Sequence, residues 1–274
     1  LRSIFSAPVN FQGLMNSTLL NQDPHRACPR SARTSVILTL AALLMFSFSL
    51  AADVFAQKGF SKKYPARKNV RVELTNLFGT ISVETWNRNE IKISADLYPP
   101  IARINPEQTE DALIINIKKE NRGDVGDINF RITVPVDSSV EIETRRGNIQ
   151  VTGVQGETLR AKVYGSGEIE LSEIGASRVM AENVTGNIFF DGHLEAGGKY
   201  EFKTVRGDVT IRIPSTSAFS LMAAAPSTRH IDLGTFASSG LNLSDKRKVF
   251  GNVGEARCSL IVFNQMGRIT FLRR

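Results

Sequence analysis

The residues best placed to do chemistry are two pairs of carboxylates. Glu141 and Glu143 stand two positions apart, as do Glu168 and Glu170, and Arg145 and Arg146 follow the first pair. In an extended strand, residues i and i+2 share one face, so each pair projects to the same side. Acid–base cleavage of a glycosidic bond needs two carboxylates roughly 5–9.5 Å apart, which makes a carbohydrate-active enzyme one reading. The other reading is that outward strand positions carry charge for solubility. The second is adopted, because Trp86 is the only tryptophan and no aromatic sugar platform adjoins either pair.

Other chemistries find less support. His193 and His230 have no cysteine or second histidine at ligand spacing. Cys28 and Cys258 are too few for a disulfide scaffold or a four-cysteine zinc site. Gly165-Ser166-Gly167 lacks the frame of a nucleophile elbow. A phosphate-cradling glycine loop followed by Lys-Ser/Thr is absent, as are calcium-binding nonapeptides. No catalytic, cofactor-binding or metal-binding residue is assigned, and no cofactor is expected.

The elements that would position these side chains follow from a repeat. Five segments fit Asn/Thr-x-x-Gly-x-Ile/Val-x-apolar: Asn76–Val83, Thr144–Val151, Asn183–Phe190, Thr204–Ile211 and Asn264–Phe271. A sixth, Gly167-Glu-Ile169-Glu-Leu171, fits only after its glycine. The glycines at 147, 167, 186 and 207 lie 20, 19 and 21 residues apart, and the 60 residues from Gly207 to Gly267 read as three further periods. Apolar residues alternate on both sides of each glycine, as in Val140-x-Ile142 and Ile149-x-Val151, the period of a half-buried strand. A short third apolar element recurs at Val154, Ile174 and Leu194. One period therefore reads as strand, sharp turn at glycine, strand and a short third side.

Two all-β architectures accommodate this pattern: an antiparallel β-sandwich and a single-stranded β-helix (β-solenoid) with ~20-residue coils. Only the solenoid requires like residues to return every coil, because each coil stacks ~4.8 Å above the last. The solenoid is the fold expected, with Gly79, Gly147, Gly167, Gly186, Gly207 and Gly267 as structural turn residues and about nine coils. The Asn/Thr column at the start of each bend is assigned to turn hydrogen bonding rather than to a ligand track. Ser227–Leu233 falls near a bend but lacks glycine, and 234–248 reads as an inserted polar loop.

The chain has 274 residues, 42% hydrophobic and 22% charged, with a formal net charge of +7, the balance of a folded protein rather than a disordered one. Val36–Ala52 is an apolar run preceded by Arg26, Arg30 and Arg33 and followed by Val54-Phe55-Ala56. Basic flank, apolar centre and small-x-small exit form a secretory signal, expected to be cleaved after Ala56, with an uncleaved anchor as the alternative. Met15 is the expected start of translation, and no lipobox follows the apolar run. Residues 57–69, with Lys58, Lys62, Lys63, Arg67 and Lys68, read as a basic linker. Residues 70–274 form the folded domain. Nucleic acid is not an expected partner of an exported chain whose basic stretch lacks interleaved aromatics.

Three stretches resemble a bacterial adhesin-like family of exported β-solenoids, a domain of unknown function related to autotransporter-adhesin head domains. They are Gly79–Val83 continuing through Glu84-Thr85-Trp86-Asn-Arg88-Asn-Glu90-Ile91, then Ile128–Pro135, then the stacked Gly-x-Ile copies. The resemblance implies a β-helix-like stack in the periplasm, at the outer membrane or outside the cell, and it carries no catalytic residues. The expected function is a non-catalytic scaffold or binding module for envelope polysaccharide or another envelope protein. The alternatives are a carbohydrate-active enzyme and a filament module that stacks end to end. The wound coil makes a sharp prediction. Ile169→Asp places a charge in the inner column and should cost more than about 4 kcal/mol. Its neighbour Glu168→Ala should stay within about 0.5 kcal/mol. Thermal unfolding of the two variants checks this, and equal melting temperatures would contradict the coil.

Overall fold

The computed structural model describes residues 58–119, 125–237, 240–244 and 247–274. The expected leader (1–56) and Arg122–Asp124 lie outside these. The described chain is all-β. It opens with β1 (Lys58–Pro65), β2 (Arg71–Phe78), β3 (Ile81–Trp86), β4 (Glu90–Leu97), β5 (Arg103–Gln108), β6 (Ala112–Lys118) and β7 (Ile128–Pro135). It continues through β8 (Ser139–Arg146), β9 (Ile149–Thr152), β10 (Thr158–Ser166), β11 (Ile169–Ile174), β12 (Arg178–Thr185), β13 (Ile188–Gly192), β14 (Lys199–Arg206) and β15 (Val209–Ile213). It closes with β16 (Phe219–Ala224), β17 (Ile231–Asp232), a 3₁₀ turn at Gly234–Phe236, β18 (Leu241–Ser244), β19 (Lys248–Val253), β20 (Ser259–Met266) and β21 (Ile269–Arg273).

The strands form two sheets that share one interior. One runs β1-β4-β7-β3-β9-β11-β13-β15-β21-β17, the other β18-β19-β16-β20-β14-β12-β10-β8-β2-β6-β5. Consecutive coils β8–β9, β10–β11, β12–β13 and β14–β15 stack in parallel. The fold is a β-solenoid, and equivalent positions lie one above another. Ile81, Ile149, Ile169, Ile188, Val209 and Ile269 are in direct register, and none is more than 1% exposed. Fully burying each such side chain stabilises the stack by roughly 1.5–3 kcal/mol. The sheets meet across this core, for example at Phe190 and Phe202, whose ring centroids are 5.0 Å apart.

Chain order and layer order part company at both ends. The coil β20–β21 lies between β14–β15 and β16–β17, so Gly267 stacks directly on Gly207. The 60-residue interval is therefore an excursion through the outermost coil and back, and not three more periods in the regular stack. Periodicity alone reads distance along the chain and does not reveal that a later segment has slipped between two earlier ones. The N-terminal end repeats the device, with β2–β3 between β6–β7 and β8–β9.

The six repeat glycines form one ladder. A Cβ on Gly147, Gly167, Gly186, Gly207 or Gly267 would stand under 3.0 Å from the carbonyl oxygen of the glycine one layer away, and one on Gly79 would meet the Ile128 carbonyl in the same way. The preceding Asn/Thr column is buried, and all of it but Thr144, which donates to Arg146 O, donates to these carbonyls, with Asn76 Nδ2 reaching Ile128 O at 3.0 Å. Asn183 Nδ2 donates to Gly167 O at 2.6 Å, Asn264 Nδ2 to Gly207 O at 2.8 Å and Thr204 Oγ1 to Gly186 O at 3.3 Å. At the last layer Arg229, with φ 57°, takes the ladder position, since Ile231 pairs with Ile269. Thr228 Oγ1 there donates to Gly267 O at 2.5 Å.

Two expectations from composition are corrected. Lys58–Pro65, inside the expected basic linker, is strand β1, antiparallel to β4. Its buried Tyr64 anchors it, and its exposed lysines suit an edge strand that must not recruit another sheet. Residues 234–248, expected as a loop, contain β18, which pairs antiparallel with β19. With β5 antiparallel to β6, antiparallel strands close both ends of the stack. Gly167 isolates the packing term of the ladder, because its φ is not positive. Gly167→Ala should cost about 3 kcal/mol or more, a melting shift of roughly 6–12 °C in a domain of this size. Gly59→Ala, with nothing within 4 Å of the new methyl, should leave the melting curve in place.

Candidate functional site

The sheets are joined on one side by short connectors: 136–138 after β7, 153–157 after β9, 175–177 after β11, where Glu173 and Ile174 already turn with them, and 193–198 after β13. They form the solenoid's third side. Val154 and Ile174 point inward and are fully buried, and Leu194 is partly so. The connectors hydrogen-bond layer to layer: Gln155 N donates to Val136 O at 2.9 Å, Gly175 N to Val154 O at 3.0 Å and His193 N to Ile174 O at 2.9 Å. Their polar residues are left to face solvent.

A groove runs along this side, parallel to the stacking axis. Its middle is a cavity of about 610 Å³ between Asn69, Gln155, Glu173 and His193. Gln155 also borders a 390 Å³ cavity beside Trp86 and Pro135. At the opposite end, His193 and Ala196 border a 590 Å³ cavity that reaches Pro214 and Arg257. The groove crosses the layers of β3, β9, β11, β13 and β15, so it extends for about 20 Å.

Tyr200 of β14 holds the wall from inside. It is 1% exposed, and its hydroxyl donates to Ala176 O at 3.1 Å while accepting from Glu195 N at 2.6 Å. One phenol thus ties two successive connectors. Burial pushes it up to about 12, so it remains a donor at any physiological pH.

The charge along the groove is mainly negative. Asp137 borders it beside Trp86, and Glu157, Glu173, Glu195 and Glu255 border the rest. Glu157 meets Arg178 at 3.6 Å, and Arg257 Nε donates to Glu255 at 2.9 Å, which holds that carboxyl below the usual range. Glu173 has no salt-bridge partner among the described residues and sits at φ 58°, a conformation that costs a non-glycine residue of order 1 kcal/mol and recurs at functional positions.

The sequence candidates lie elsewhere. Glu141 pairs with Arg71 at 3.0 Å, and Glu143 accepts from the Tyr164 hydroxyl at 2.9 Å, both on the outer face of the 11-stranded sheet. Glu168 accepts from Asn187 Nδ2 at 3.1 Å, and Glu170 on the other sheet accepts from Gln150 Nε2 at 3.0 Å. The structure does not bring the two pairs together, and none of the four borders the groove. Asp191, the one buried carboxylate among the described residues, is held by Arg212 at 2.8 Å and Arg274 at 3.5 Å. Of the histidines, His193 borders the groove and His230 lies in the last bend. No group of three or more His, Cys, Asp or Glu could hold a metal among the described residues. Cys258 is buried, with its thiol pushed up to about 11, far from a reactive thiolate. The groove residues carry no period of their own. The signal that could have found them is the third-side column of Val154, Ile174 and Leu194, whose polar neighbours form the lining.

A profile of the Toastrack DUF4097 family matches residues 108–247, from the end of β5 into the C-terminal excursion. The chain belongs to the Toastrack DUF4097 family. It is similar to the crystal structure of a "putative cell adhesion protein" from Clostridium sporogenes, at 12% identity and a TM-score of 0.45, covering 80% of this chain and 100% of that one. It is also similar to a "putative adhesin" from Bacteroides fragilis, at 12% identity and a TM-score of 0.30 over 80% of this chain and 99% of that one. No curated protein matches.

Tyr200 gives a prediction with a defined sign. A phenol raised in the folded state from an unfolded value of about 10 contributes stability that is present below pH ~10 and is lost as pH climbs through about 12. Tyr200→Phe should remove that alkaline loss, yet cost about 1–3 kcal/mol at pH ~7, because the buried Glu195 N–H loses its acceptor. Denaturant unfolding at both pH values checks it. Both proteins should carry Cys258→Ala, since that thiol, raised to about 11, loses its contribution in an overlapping window.

Proposed function

We propose that this Toastrack chain is a non-catalytic binding module of the bacterial cell envelope, which uses the β-solenoid as a rigid scaffold and the third-side groove as its contact surface. The observation that carries this reading is the groove itself: five successive layers supply polar side chains to three adjoining open hollows that share Gln155, His193 and Ala196. A partner lying along it meets polar side chains of changing type at each step of about 4.8 Å, as suits a linear polymer or an extended segment of another envelope protein. Export is supported by the basic-apolar-small pattern of residues 26–56. An adhesin-like role, with the relation to autotransporter head domains, is supported by the family resemblance of the Trp86–Glu90 and Ile128–Pro135 segments. The site is proposed to face the periplasm, the outer membrane or the exterior.

Two rival readings have less behind them. The glycan-cleaving reading rests on Glu141, Glu143, Glu168 and Glu170, and these four are engaged in contacts between layers away from the groove. A filament module would need uncapped coils, whereas lysine-rich β1 and Pro106-containing β5 lie at one end of the stack, where both features discourage strand addition.

The test is co-sedimentation of the full chain with purified envelope polysaccharide and with envelope protein, together with an assay for released saccharide. Binding should be lost in Ala196→Arg, which narrows the groove at an exposed position, and retained in Met222→Lys, a 61% exposed residue on the opposite sheet. No saccharide should be released. Turnover that Glu168→Gln abolishes would replace the proposal with the enzyme.

A further inference from the structure

We infer that the Trp86 end of the groove binds an uncharged pyranose sugar within a longer glycan. The inference deepens the proposed function and rests on it. Trp86 ends β3 in register with Pro135. Its indole N–H donates to Glu90 O at 2.7 Å, which fixes the ring's orientation and satisfies its one polar group. What remains is an aromatic ring, partly covered by the exposed Arg88 and Lys63 side chains. The cavity beside it is lined by Asn87, Arg88, Asn89, Asp137 and Gln155. The side-chain amides of Asn87, Asn89 and Gln155 make no hydrogen bond among the described residues, and all three residues are exposed.

This combination matches the chemistry of a pyranose. Such a ring offers an apolar C–H face and a rim of hydroxyls, each both donor and acceptor. Indole and proline suit the face. Amides, which donate and accept at once, suit the rim, with the Arg88 fork as donor and the Asp137 carboxylate as acceptor. Arg88 lies over the indole with its guanidinium carbon 5.1 Å from the ring centroid, tethered to Glu90 at 3.5 Å. So exposed a pair is weak, and a ligand can displace or recruit it.

The charges select a neutral ligand. Arg88 and Lys63, the latter 5.8 Å from the ring centroid, already place positive charge at the indole, so a cation gains nothing there. Asp137, Glu157, Glu173 and Glu195 repel a polyanion along the rest of the groove. The hollow of about 390 Å³ is shallow and open to solvent, so a saccharide would lie across it with one face on the protein. Gln155 then leads into the 610 Å³ cavity, along which the chain would continue.

Trp86 is the sole tryptophan, so intrinsic tryptophan fluorescence of the full chain reports on this site alone. The probes are the hexasaccharides of cellulose, chitin and mannan, free glucose, mannose and N-acetylglucosamine, and hexagalacturonate as the anionic counterpart. At least one neutral sugar should shift Trp86 emission saturably and protect it from acrylamide quenching. The response should persist in about 0.5 M NaCl, and hexagalacturonate should give none. Asn87→Ala combined with Asn89→Ala, at exposed positions and with an unchanged melting curve, should weaken binding by about tenfold or more. Silence of Trp86 toward every neutral sugar, or a double variant that binds as the parent does, overturns the inference. Envelope-polymer binding that Ala196→Arg abolishes while Trp86 stays silent overturns it and leaves the groove standing. A Trp86 response to neutral sugar that Ala196→Arg leaves untouched sustains the sugar site and overturns the extended groove.

Discussion

From Gly79 to Gly267 the bends bring the backbones of adjacent layers too close for a side chain, and side chains return at this position only at the two ends of the ladder, with Ile128 and Arg229. The carbonyl oxygen of each ladder glycine fills the space that a Cβ from the next layer would need. The approach buries that carbonyl, and an unsatisfied buried carbonyl costs about 1–3 kcal/mol. The Asn and Thr residues three positions before the glycines supply donors at the same place, as Asn183 does for Gly167 and Asn264 for Gly207. Glycine and Asn/Thr thus act as one device, the first permitting the approach and the second satisfying what it buries. With the bend fixed, the Ile149, Ile169 and Ile188 positions fall into register, and the connectors of the third side follow at the same interval.

The outer sheet faces carry charge that is spent within the stack. Lys162 and Glu182, in register on adjacent strands, meet at 2.8 Å. Glu182 accordingly raises the Lys162 ammonium above its usual value, and Lys162 lowers the Glu182 carboxyl. The third side behaves differently. Its connectors satisfy their backbone against one another, which frees side chains such as Gln155 and Glu173 from any structural task. Regular strands supply rigidity, and irregular connectors supply chemistry that can vary without disturbing the core.

The amino-acid pattern made the regular coils legible and little else. Ile169, Ile188 and Val209 repeat because their environments repeat, and the alternation around them marks both sheets. The excursion between Gly207 and Gly267 was hidden, because a residue separation does not say which segment is inserted. Lys58–Pro65 looked like a linker because an edge strand needs charge on its exposed faces, which lowers its apolar signal to Phe60 and Tyr64. Arg229 escaped for a related reason: beyond the last full coil, an arginine in left-handed conformation serves where glycine was expected. The groove was least legible of all. Its residues touch solvent and each other's connectors, and neither leaves a periodic mark.

The insertion of β20–β21 inside the stack has a mechanical meaning. A terminal strand at the rim of a sheet can be unzipped from one side, a bond at a time. Here β20–β21 is gripped by neighbours above and below, so a pull on this coil must shear two ladders at once. The first coil, β2–β3, is gripped in the same manner. Such an arrangement resists peeling by force, because neither coil offers a free edge from which a ladder could open.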